Sequence, residues 1–163
     1  MKKLKLFALF AALSALFMAC PYGSETPIDQ PSIKVDDKLL GKWESKSTSD
    51  ETYNVTKENE NTIKVEKRTK PSETPTLYKG YLSDVDGTRY LNMWEIAEGS
   101  TAITYYLYKL TVSISGTKVT LSPVTENITE KFSTSKELKD YILKYQTLTF
   151  FFSKDNEQYI KAD

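Results

Sequence analysis

The chain has 163 residues, with 22 basic and 22 acidic side chains, a single cysteine and no histidine. The balance of charge argues against a nucleic-acid partner, because binding to a phosphate backbone needs a basic surface. The absence of histidine and of a second cysteine excludes a disulfide within the chain, a zinc site built from Cys and His, and general-base catalysis by histidine.

Residues 1–19 have the pattern of a secretory signal peptide. Three lysines precede an apolar run of roughly 14 residues, which is shorter than the span of about 20 that a transmembrane helix needs. The run ends at Cys20, and the segment Leu16-Phe17-Met18-Ala19-Cys20 resembles the lipobox of bacterial lipoproteins. The resemblance implies removal of residues 1–19, a thioether-linked diacylglycerol on Cys20 and an acylated (palmitate) amino terminus, which together anchor a protein to a membrane.

These features predict a lipid-anchored protein of the bacterial cell envelope, on the outer membrane and facing the periplasm or the outside. Some bacteria direct lipoproteins to the surface with an acidic run after the cysteine, whereas here Pro21 to Ser24 follow, which favours the periplasmic side. The alternative is an ordinary secreted protein with a chance cysteine near its cleavage site. Loss of the leader leaves 19 basic against 22 acidic side chains, so the remaining chain is slightly acidic.

The segment 20–38, which contains the cysteine, is rich in proline and polar residues, and this composition predicts a flexible tether between the lipid and the folded part. Residues 39–163 then form one domain, since their length suits a single hydrophobic core.

From Leu39 onward, short segments of strand character alternate with turn residues. Short links between consecutive strands favour antiparallel pairing. The sequence therefore predicts a mainly β fold, an antiparallel up-and-down barrel or half-barrel of about eight or nine strands with one short helix near the C-terminus. The predicted strands are 40–47, 51–58, 61–69, 76–84, 88–96, 101–114, 117–122, 147–153 and 157–161.

The helix is predicted from Thr134 onward. Thr134-Ser135-Lys136-Glu137 fits a capping box, and the apolar residues that follow, from Leu138 to Tyr145, recur at the spacing of one helix face. We expect this helix to cover an edge or mouth of the β structure, with recognition of a partner as the alternative.

The first strand contains Gly41-Lys42-Trp43, a G-x-W pattern after an N-terminal segment. This pattern, the strand count and the chain length resemble the lipocalin and calycin superfamily, and specifically a divergent lipocalin-like bacterial lipoprotein of the small kind common in Bacteroidota. The resemblance implies a barrel whose base is closed by Trp43. Lipocalins pack a late arginine on this tryptophan, whereas here only Lys154 or Lys161 is available for that position.

Alternation along the strands indicates which side chains share a face. Tyr106, Tyr108 and Leu110 lie on one face of their strand. Ile103, Tyr105 and Leu107 fall out of phase with them, which indicates either a bulge or a strand end covered on both faces. The candidate ligand-binding residues, all predicted to point into the barrel, are Trp43, Tyr90, Asn92, Trp94, Tyr106, Tyr108, Leu110, Phe150 and Phe152.

No motif predicts catalysis, a metal or a cofactor: the acids scatter over turns and polar faces, and Asp84-Val85-Asp86-Gly87 is a turn rather than a calcium loop. We therefore expect a binding protein and not an enzyme. Two functions remain open. One is a carrier that holds a small apolar or amphipathic ligand in the barrel. The other is an envelope accessory protein with a filled barrel, whose outer surface contacts a protein or a glycan.

Overall fold

The computed structural model describes residues 22–72, 74–99 and 101–162. The predicted signal peptide, residues 1–19, and the predicted lipidation site Cys20 lie outside the described residues. Within the described ranges no helix has the length and hydrophobicity needed to cross a bilayer.

The described chain forms a closed antiparallel barrel of eight strands, which confirms the predicted fold class. Each barrel strand pairs with its neighbour in the chain, and the last strand closes the barrel on the first. A short additional strand, β1, pairs with the first residues of β7, where β8 does not reach. The elements are β1 (Gly23–Ser24), β2 (Gly41–Ser45), β3 (Glu51–Lys57), β4 (Thr62–Thr69), β5 (Thr76–Val85), β6 (Thr88–Glu95), β7 (Tyr105–Val112), β8 (Lys118–Pro123), α1 (Ser135–Tyr145) and β9 (Glu157–Lys161).

One end of the barrel, which we call the base, is closed by the segment that precedes β2. A 3-10 turn at Asp37–Leu39 places Leu39 under the barrel, and the indole Nε1 of Trp43 donates a hydrogen bond to the Leu39 carbonyl at 2.9 Å. Lys161 lies over the Trp43 ring, with its Nζ 5.5 Å from the ring centroid. Of the two lysines proposed from the sequence for the position against the tryptophan, Lys161 therefore occupies it. Gly41 has a φ of 117°, and a Cβ there would meet the Lys161 side chain at 3.2 Å, so a glycine is required beside this contact.

A second hydrophobic core lies outside the barrel, on the outer face of β5, β6 and β7. The segment 22–30 and helix α1 cover this face, and Ile28, Leu138 and Ile142 are almost completely buried there. The predicted capping box at Thr134 and Glu137 is present, and the predicted apolar face of the helix is the buried one. The out-of-phase Tyr105 and Leu107 belong to this core, so that end of β7 is covered on both faces.

The prediction that residues 20–38 form a flexible tether is wrong for residues 22–38, the part that the structure describes. From Tyr22 the chain runs along the outer face of the barrel and then crosses beneath its base, where Val35 is 8% exposed. Three apolar residues far apart in the segment, Tyr22, Ile28 and Val35, contribute to this placement, because each is buried in a core that the barrel provides. Its composition could not reveal this, since the partners of these residues lie far away in the sequence.

The strand predicted at 147–153 is also wrong. After α1 the chain continues through turns, with Leu148 N–H donating to the Tyr145 carbonyl and Phe151 N–H to the Leu148 carbonyl. Only an isolated bridge joins Phe152 to Val124. The physical reason is barrel closure: β8 already pairs with β7 and β9, so no edge remains for a further strand.

Candidate functional site

The barrel encloses a cavity of about 530 Å³. Its lower part reaches Trp43 and Leu39 at the base, and its upper part reaches Ser47 and Thr48 in the loop after β2. Because Ser47 is exposed to solvent, the cavity opens at this end, which we call the mouth. A volume of this size lies within the range of about 300–1,000 Å³ that small-molecule sites occupy.

The lower part of the cavity is apolar. It is lined by inward-facing side chains of consecutive strands, since alternate residues of a strand point to the same face. Ile63 and Val65 on β4, Leu91 on β6, and Val119 and Leu121 on β8 form most of this wall, and all five are buried. Four of the nine residues predicted to line the interior are part of the cavity: Trp43, Tyr106, Tyr108 and Leu110.

Charged side chains line the upper part, near the mouth. Glu51 and Lys67 form an ion pair, with Lys67 Nζ 2.6 Å from a Glu51 oxygen, and the Tyr53 hydroxyl donates to the same carboxylate at 2.6 Å. Across the closure of the barrel, the Tyr159 hydroxyl donates to Glu157 at 2.5 Å. The Tyr53 and Tyr159 rings meet edge to face with centroids 5.0 Å apart, so the two tyrosine–carboxylate pairs form one continuous wall.

These contacts shift the ionisation of the wall. Burial raises the pKa of Tyr53 and of Tyr159 far above the usual value, and the neighbouring carboxylates raise them further. Burial acts to raise the pKa of Glu51, but hydrogen bonds from Lys67 and Tyr53 and the charge of Lys67 outweigh it, so the pKa lies below its usual value. At neutral pH the wall therefore presents protonated tyrosines beside the ionised Glu51.

Three of the predicted interior residues lie on the opposite face of β6. Tyr90, Asn92 and Trp94 share a face as predicted, but that face points away from the cavity, where Leu91 and Met93 point inward instead. The amide of Asn92 accepts a hydrogen bond from the Ile28 N–H at 3.0 Å and donates to Ser83 at 2.7 Å. Asn92 therefore fastens the N-terminal segment to the barrel, whereas Tyr90 bonds Gln146 and Trp94 packs on neighbouring tyrosines. None of the three lines the cavity.

The two predicted phenylalanines lie outside the barrel as well. Phe150 is 63% exposed, and Phe152 packs against Tyr90 with ring centroids 6.3 Å apart. Both line a separate outer pocket of about 260 Å³, formed with residues 123–127 and 153–155.

Sequence reasoning missed the charged wall of the mouth, that is Glu51, Tyr53, Lys67, Glu157 and Tyr159. A signal was present, since Glu51 and Tyr53 share one face of β3, and Glu157 and Tyr159 share one face of β9. That β3 and β9 both flank β2 became visible only with the closed barrel.

Comparison of the chain with protein-family models, with curated protein sequences and with solved structures gave no significant match.

Proposed function

We propose that this protein is a lipid-anchored component of the bacterial cell envelope that holds a small apolar or amphipathic ligand inside its barrel. The observation that carries the proposal is the cavity of about 530 Å³, apolar at its base and polar at its open end. A ligand would bind by burying its apolar surface below, while the polar side chains near the mouth set its orientation.

The cavity favours this function over the alternative of an accessory protein that acts through its outer surface. That alternative expects a barrel filled by its own side chains, as eight-stranded barrels of this width often are. Here the large inward side chains Trp43, Tyr106 and Tyr108 line the space and do not fill it. The closed antiparallel barrel, with Trp43 and Lys161 at its base, is consistent with the calycin-like architecture that the G-x-W pattern resembles.

Binding is best tested on residues 21–163, which contain both hydrophobic cores and lack the leader and Cys20. Titration with the neutral dye N-phenylnaphthylamine should give saturable binding with enhanced emission. Val65→Trp, in the middle of the cavity wall, should abolish binding, whereas Thr52→Trp, on the exposed outer side of β3, should not. An absence of saturable binding, or equal binding by both variants, would argue against a ligand inside the barrel.

Lipid attachment requires a separate experiment on the full chain. Cells fed a labelled palmitate should transfer the label to the wild-type protein in the membrane fraction, and Cys20→Ser should lose it. Unlabelled wild-type protein recovered from the soluble fraction would contradict the anchor while leaving the binding function intact.

A further inference from the structure

We propose that the cavity selects ligands whose polar end is a cation, such as a small alkyl or aryl amine. The inference rests on the proposed ligand-holding function and adds to it the chemical class of the ligand. It is carried by two features of the upper cavity, its uncompensated negative charge and the hydroxyl of Tyr108, which makes no hydrogen bond to the described residues.

The charges that line the cavity do not balance. Three carboxylates, Glu51, Glu95 and Glu157, face one ammonium group, that of Lys67. Lys67 is paired with Glu51 at 2.6 Å, which neutralises that carboxylate. No lysine or arginine in the described ranges forms an ion pair with Glu95 or Glu157, so two negative charges remain at the upper end of the cavity.

Tyr108 supplies the second observation. Its side chain is 6% exposed and lines the cavity, yet its hydroxyl makes no hydrogen bond to any residue of the described chain. No fully buried side-chain polar atom of the described residues lacks a partner, so the Tyr108 hydroxyl is open to the cavity that it lines and is available to whatever fills it. Burial raises the pKa of Tyr108, and the charge of Glu157 raises it further, which shows that this carboxylate acts on the same space.

Aromatic faces complete a site suited to an ammonium group. Tyr78 and Tyr106, both half-buried, line the cavity together with Tyr108. A cation close to such rings is attracted by their negative faces, and more strongly where water is excluded. The apolar wall below them accepts an alkyl or aryl body. A carboxylate ligand in the same position would meet Glu95 and Glu157 with like charge, which disfavours it.

The test compares three probes that share one apolar chain and differ only in the polar end: decylammonium, decanol and decanoate. Each displaces N-phenylnaphthylamine from residues 21–163. Decylammonium should compete best, at least about tenfold better than decanoate at low salt, and added salt should narrow the difference. Equal competition by decylammonium and either of the other two probes would overturn the inference and leave the carrier function standing.

Variants locate the selectivity within the cavity. Glu157→Gln should weaken the binding of decylammonium and strengthen the binding of decanoate. Glu95→Gln, at an exposed position that tolerates substitution, should change each affinity in the same direction as Glu157→Gln does. The matched control is Glu44→Gln, an exposed glutamate of β2 that does not line the cavity. Unchanged selectivity in both cavity variants would overturn the inference. A wild-type protein that does not bind N-phenylnaphthylamine at all would instead remove the proposed function, and the inference with it.

Discussion

Substitution of Ile28 tests whether the N-terminal segment is part of the folded structure. The Ile28 side chain is 0% exposed and lies in the outer core, and its N–H bonds to Asn92. Truncating a buried isoleucine to alanine costs about 2–5 kcal/mol, the sum of lost apolar transfer and the cavity left behind. Ile28→Ala should therefore lower the free energy of unfolding by that amount, a large part of the roughly 5–15 kcal/mol of a typical domain.

Ile114→Ala is the matched control, because Ile114 is 98% exposed in the turn between β7 and β8. Such surface substitutions change stability by about 0.5 kcal/mol or less. Urea denaturation of both variants, followed by tryptophan fluorescence, measures the difference, and an unchanged slope shows that the same surface unfolds. In thermal unfolding Ile28→Ala should melt roughly 4–20 °C below the wild type. If Ile28→Ala is as stable as Ile114→Ala, the segment is not held by the outer core and the reasoning fails.

Three further predictions concern single contacts. Lys161→Ala removes the cation over Trp43 and should lower stability by about 0.5–1 kcal/mol, with a change in tryptophan emission, whereas Lys161→Arg should retain the wild-type stability. Thr134→Ala removes the side-chain half of the capping box and should cost about 1 kcal/mol in urea denaturation, and a smaller loss in Thr134→Ser would support the cap as the cause. The lowered pKa of Glu51 predicts a contribution to stability that is fully present above the usual glutamate pKa and is lost as the pH falls through the lowered value. In Lys67→Met the Glu51 carboxyl should titrate at higher pH when followed by NMR, because its ionic partner is gone. An unchanged titration would refute the role of the ion pair.

The sequence was sufficient to predict the barrel because its strands are short, alternate in character and are separated by clear turns. Seven of the nine predicted strands overlap β2 to β8, one each, and the last predicted strand coincides with β9. The failure at 147–153 has a definite cause: Phe150 and Phe152 have strand propensity, but pairing needs a free neighbouring edge, and that is a property of the whole sheet.

The candidate site was less predictable. On β7 the inward face could be identified because Tyr108, Leu110 and Val112 alternate with the polar Lys109 and Thr111, and Tyr106 continues the same face. On β6 one face lines the cavity and the other lies against the outer core. Leu91 and Tyr90, on opposite faces, are therefore both buried, and the alternation of apolar residues does not show which face points inward. The outer core thus explains why three of the nine predicted interior residues, Tyr90, Asn92 and Trp94, were assigned to the wrong face of their strand.

The position of Tyr22 has a mechanical consequence. Its N–H bonds to Val124, and the two residues after it pair with β7, so the described chain begins already fastened to the barrel wall. Two residues of chain span at most about 7 Å, which is all that separates Tyr22 from the cysteine that we propose to carry the lipid. A force applied to that lipid would be transmitted through this short connection to the β1–β7 hydrogen bonds. Attachment and folding are then coupled: a protease that cuts within residues 22–38 would not release an intact domain from the membrane but would detach part of its outer core.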